Sequence, residues 1–199
     1  MWQLQLLEPN ATRAVLLDAV LADCRGEAEA AVKFSHALQC ADFAEPTTLR
    51  QAFEMAMDYY VRHGSRQQAD DLFDRAYRAN ACTIEVCEAY RQVAGQWVGE
   101  AGWYSLLIEA DYRKGLLEIA DRRGTSKEPY QRYVRNVQVL ALDRDDALTR
   151  VLELLRKMGE TNPAITEFVS EEPMRGVYLG PYEIESEVSV YAANWPEEG

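Results

Sequence analysis

From about residue 10 to residue 169, apolar side chains recur every three or four positions, and short polar or glycine-bearing breaks divide the pattern. That spacing lines one face of an α-helix, so a chain carrying it must bury a series of apolar stripes against one another. Asn10 is placed to cap a first helix with Ala14, Leu17, Ala19, Val20 and Leu21 on its stripe, closing at Gly26. A second runs through Ala28, Ala31, Val32, Phe34 and Leu38 to about Ala41. Pro46 opens a third with Leu49, Phe53, Ala56, Met57 and Tyr60, and His63-Gly64 ends it. Ser65 begins a fourth with Ala69, Leu72, Phe73, Ala76 and Tyr77, and Thr83 a fifth with Val86, Tyr90, Val93 and Trp97.

The same spacing predicts a sixth helix through Trp103, Leu106, Leu107, Ala110 and Leu117, and a seventh through Tyr130, Tyr133, Val134, Val137 and Ala141. Asp143 or Asp145 caps an eighth with Leu148, Val151, Leu152, Leu155 and Met158, ending at Gly159, and Pro163 starts a last turn or short helix. Short connections make consecutive helices antiparallel neighbours. The expected fold is mainly α, about eight helices in antiparallel hairpins, stacked as a bundle or a short solenoid. At 199 residues this is one domain, 1–199, with a helical body of about 10–169.

Residues 50–83 resemble one tetratricopeptide unit, a pattern of roughly 34 residues. Ala69, Phe73 and Ala76 reproduce its second-helix spacing, and Phe53 and Tyr60 supply the aromatics of its first. Ala81 stands where the closing proline belongs, and no second copy follows in register. The likeness is therefore that of a helical hairpin.

The ends differ from the middle. Trp2, Leu4 and Leu6 alternate with glutamines, and Tyr182, Ile184, Ser186, Val188, Val190 and Ala192 alternate with Glu183, Glu185, Glu187, Ser189 and Tyr191. Period-two alternation predicts strands, and Val177-Tyr178-Leu179 could form another. An isolated strand is unstable in water, so the two termini are expected to form one small β element, with an acidic segment over about 176–192.

Net charge is -12, and residues 161–199 hold 8 acids against the single Arg175. Such a balance repels a phosphate backbone and disfavours nucleic-acid binding. No apolar run approaches the ~18–20 residues that span a bilayer, so no membrane segment is expected. The N-terminal residues lack a basic region and a small-residue cleavage site, which predicts no secretory signal and a cytoplasmic chain. Cys24, Cys40, Cys82 and Cys87 lack the companion ligands of a zinc site and read as reduced thiols.

Few residues suggest chemistry. Asp70-Asp71-Leu72-Phe73-Asp74 resembles the D-D-x-x-D motif with which isoprenoid synthases hold magnesium diphosphate. Carboxylates one helical turn apart suit a hard cation, while Arg66, Arg75 and Arg78 nearby offer neutralising pairs. His36 and His63 fall in no metal-binding spacing, and no nucleophile elbow, Walker loop or dinucleotide fingerprint occurs, so no cofactor is expected. Arg122, Arg123, Lys127, Arg132 and Arg135, interleaved with Tyr130 and Tyr133, form a basic patch able to hold an anion. Glu183, Glu185 and Glu187, spaced ~7 Å apart on one face of a strand, with Glu171 and Glu172 nearby, offer a row of carboxylates to a basic partner.

These features point to a non-enzymatic module whose acidic surface binds or masks a basic protein. In composition the chain is similar to bacterial immunity proteins, secretion chaperones and adaptors. The alternatives are a small helical metal-dependent enzyme using Asp70, Asp71 and Asp74, and a structural subunit of a larger assembly.

Overall fold

The computed structural model describes residues 9–41, 46–63, 65–111, 132–170, 173–185 and 189–191. Five helices come first: α1 (Pro9–Cys24), α2 (Ala30–Ala41), α3 (Pro46–Arg62), α4 (Arg66–Arg78) and α5 (Ile84–Ala94). Two strands follow, β1 (Trp97–Asp111) and β2 (Arg132–Ala141), then α6 (Arg144–Met158). The chain continues through β3 (Ala164–Ser170), β4 (Met174–Tyr178), β5 (Gly180–Ile184) and β6 (Ser189–Tyr191). The fold is thus α+β, which corrects the expectation of a mainly helical chain of about eight helices.

The error falls on two segments. The described parts of those expected to be the sixth and seventh helices are β1 and β2, paired antiparallel from Gly102↔Ala141 to Asp111↔Arg132, while Leu117 and Tyr130 lie outside the described residues. Their apolar residues serve both faces of the sheet at one end, which makes Trp103–Ile108 a nearly continuous apolar run. Such a run fits a buried strand and a helical stripe equally well. On β2 the inward positions are Tyr133, Arg135, Val137, Val139 and Ala141, all buried, and the arginine among them conceals the period of two. The turn or short helix expected at Pro163 is likewise a strand, β3.

All described strand pairs are antiparallel, in the order β3-β1-β2-β5, with β4 beside the first part of β1 and β6 beside β2. The described parts of the acidic C-terminal segment include β5 and β6, which are extended as the alternation predicts. They join β2 through Val137↔Ile184 and Tyr133↔Val190, so their partner is a mid-chain strand. Trp2, Leu4 and Leu6 lie outside the described residues. The β element is therefore a substantial sheet built around β1 and β2, in place of a small pairing of the termini.

The helices follow their sequence signals more closely. Thr83 caps α5, accepting from Val86 N–H at 3.4 Å, and Asp143 caps α6, accepting from Asp146 N–H at 2.9 Å. Gly159 closes α6 in the left-handed region (φ 75°), where a side chain would be strained. Ser65 precedes α4 without a side-chain cap. α5 stops at Gly95, two residues before Trp97 enters β1.

One core joins helices to sheet. Phe34, Phe53, Met57, Phe73 and Tyr77 from α2, α3 and α4 belong to the same apolar cluster as Leu106, Ile108, Val137 and Leu155. At roughly 25 cal/mol per Å² of apolar surface, each such side chain contributes about 1.5–3 kcal/mol on burial. A smaller cluster of Ala101, Leu140 and Leu179 packs on the opposite face, where β4 runs beside β1. Cys40, Cys82 and Cys87 are buried free thiols, and Cys24 is exposed. Among the described residues no helix is long and apolar enough to cross a membrane.

Candidate functional site

Glu183 lies on β5 opposite Gln138, on the sheet face away from the helical core, and is half-buried. Glu185 follows the strand's end and is exposed, its N–H donating to Asn136 C=O at 3.0 Å. Ile184 turns inward, as expected. A register shift between Gln138 and Val139 interrupts the alternation, and Tyr182 stands beside Trp103, ring centroids 5.2 Å apart. Glu187, Glu171 and Glu172 lie outside the described residues.

The structure adds acids that the sequence analysis missed. Glu54 and Asp58, one turn apart on α3, face Glu85 and Glu88 on α5 across a shallow groove. Met55 and Ala89 supply apolar surface and Gln92 completes the lining. The i, i+4 and i, i+3 spacings were readable. What was not readable is that α5 packs beside α3 as well as α4.

Glu85 joins the two acidic groups. Burial pushes the Glu54 carboxyl above its ordinary range, and Glu85 pushes it further, against a hydrogen bond of 3.0 Å from Thr83 Oγ1. Burial also raises Glu183, and both Glu185 and Glu85 add to that rise. Burial is the larger cause in both, and repulsion between neighbouring carboxylates adds to it. The acidic face therefore runs from α3 across the first turn of α5 to β5. Cations reach parts of this face: Arg62 meets Asp58 at 2.9 Å and Asp23 at 2.6 Å, Arg50 draws the Glu54 carboxyl down, and Glu88 lies within electrostatic reach of Arg91.

The D-D-x-x-D sequence is arranged differently. Asp71 is exposed, whereas Asp70 and Asp74 turn toward α6 and meet Lys157 Nζ at 3.4 and 3.1 Å. Tyr90 donates to Asp70 at 2.5 Å, and Arg66 approaches the same carboxylate at 3.7 Å. Burial and that carboxylate push the Tyr90 hydroxyl up to about 12. The motif's carboxylates tie α4 to α6 and α5. Among the described residues no group of three or more His, Cys, Asp or Glu side chains is arranged to hold a metal.

Nor do Arg132 and Arg135 combine. Three positions apart on a strand, they point to opposite faces. Arg132 pairs with Glu109 and with Asp111 (3.0 Å) on the outer face. Arg135 is 1% exposed inside the core. Arg122, Arg123 and Lys127 lie outside the described residues.

No protein-family model, curated protein or solved structure matches the chain.

Proposed function

We propose that the protein is a non-enzymatic binding module whose acidic face, Glu54, Glu85, Glu88, Glu183 and Glu185, receives a basic segment of a partner protein. The observation that carries this reading is the groove in which Glu54 and Asp58 on α3 face Glu85 and Glu88 on α5, with Glu85 also within electrostatic reach of Glu183 on β5. Crowded carboxylates destabilise the free chain, and a basic partner relieves that repulsion on binding. Met55, 42% exposed in the groove, gives an apolar anchor among the acids. Masking a basic surface is work of the kind done by immunity proteins, chaperones and adaptors. The buried thiols suit a reducing cytoplasm as the place of action. The metal-enzyme alternative is less favoured because Asp70 and Asp74 are engaged by Lys157 and Tyr90.

The test is affinity capture from the native host with the wild-type chain and with a variant carrying Glu54→Gln, Glu85→Gln, Glu88→Gln, Glu183→Gln and Glu185→Gln. A basic protein retained by the wild type, released by moderate salt and lost with the variant is the expected result. Partners captured equally by both chains would end the proposal, and a multi-subunit complex captured so would favour the structural-subunit reading.

A further inference from the structure

The least expected residue of the core is Arg135. Its guanidinium is held from above by Tyr77, whose ring centroid is 4.7 Å from Cζ. Nη2 donates to Asn80 Oδ1 at 3.0 Å and to the Glu185 carbonyl at 3.2 Å. Nε and Nη1 have no hydrogen-bond partner among the described residues. Close by, Tyr77 donates to Glu160 Oε1 at 2.7 Å, Glu160 Oε2 has no partner among the described residues, and the Tyr133 hydroxyl lies beside both Tyr77 and Glu160. Tyr77, Tyr133, Asn80 and Arg135 are at most 3% exposed, and Glu160 is 9% exposed.

Four elements thus bring one buried cation and one buried carboxylate into a single cluster without a direct hydrogen bond between them. Unmade hydrogen bonds at buried charged groups are strongly unfavourable, and proteins rarely retain them. What completes the cluster must accept from a guanidinium and donate to a carboxylate. An anion meets the first requirement and fails the second, and Glu160 would repel it. A neutral molecule with both capacities fits, and water is the smallest.

We propose that the Arg135–Glu160–Tyr133 cluster is an internal water-binding site, in which ordered water accepts from Arg135 Nε or Nη1 and donates to Glu160 Oε2 and to the Tyr133 hydroxyl oxygen. The bridge joins the end of α4, the turn at Asn80, β2 and the residue following α6.

The experiment is oxygen-17 relaxation dispersion of the full chain, paired with a high-resolution crystal structure. The wild type should show a long-lived internal water component. Arg135→Met with Glu160→Met removes both charges together, so neither is left buried alone, and should abolish that component. Tyr133→Phe, which deletes one hydroxyl, should reduce it while leaving the chain folded, and serves if the double variant fails to fold. In the crystal, density for water should lie within hydrogen-bond distance of both Arg135 and Glu160. Direct Arg135–Glu160 contact, a bound anion between them, or a water component unchanged in the Tyr133→Phe chain would each overturn the proposal.

Discussion

Tyr77 and Glu160, 83 positions apart in the chain, share a buried hydrogen bond of 2.7 Å that joins the last turn of α4 to the residue beyond α6. The phenol is fully buried, and burial together with the neighbouring carboxylate pushes its hydroxyl well above the ordinary tyrosine range, so it acts as donor. Tyr77→Phe leaves Glu160 Oε1 without this donor. Loss of a buried hydrogen bond to a charged group predicts destabilisation of about 1–3 kcal/mol. Urea denaturation should show a lowered midpoint with an unchanged slope, because the surface exposed on unfolding is the same.

Lys157 predicts an acid-side effect. Burial pushes the Asp70 carboxyl up, but the Tyr90 hydrogen bond and Lys157 outweigh it and hold the carboxyl below its ordinary value. A lowered carboxyl contributes stability that is present above the unfolded value of about 3.9 and lost as pH falls through the folded one. Lys157→Met should therefore flatten the fall in melting temperature below about pH 4. The pair is partly exposed, so its neutral-pH cost should stay within about 1 kcal/mol.

For Glu183 the sign reverses. Burial, then Glu185 and Glu85, raise its carboxyl, so ionisation destabilises the folded chain. That penalty is present above the folded value and disappears below the unfolded value of about 4.3. Glu183→Gln should raise the melting temperature at pH 7 and leave it unchanged below about pH 4. A gain in stability joined to a loss of partner capture is the pattern expected of a residue kept for binding.

Gly95 tests the junction between α5 and β1. A Cβ there would lie 2.4 Å from Leu179 O and 2.7 Å from Arg91 O, both backbone atoms. The neighbouring backbone is tied, since Leu179 N–H donates to Gln96 C=O at 2.9 Å. Gly95→Ala should cost about 3 kcal/mol, at the upper end of overpacking substitutions, as read by chemical denaturation. Gly99→Ala, where a Cβ meets nothing within 4 Å, is the matched control.

The helices were legible because each carries its own stripe and a start or stop signal: Pro46 opens α3, Thr83 opens α5, and Asp143 and Gly159 bound α6. β1 and β2 were not, because a sheet apolar on parts of both faces erases the period of two. Arg135 then set a charge where the alternation calls for an apolar residue. Glu183 and Glu185 were found from their alternation, whereas Glu54, Asp58, Glu85 and Glu88 depended on which helices become neighbours. That relationship lies in tertiary packing, which single-helix periodicity does not encode.

The bond from Arg135 Nη2 to the Glu185 carbonyl passes between the inside of the molecule and its charged exterior. Asn80, in the turn after α4, holds the same nitrogen, and its own backbone takes a positive φ of 53°. Substitutions at 80 and 135 therefore shift the backbone that carries an exposed carboxylate, without touching any partner. In a random-mutation screen for lost partner capture, buried positions 80 and 135 should be recovered alongside the surface acids, and their effects should be non-additive with changes at 185.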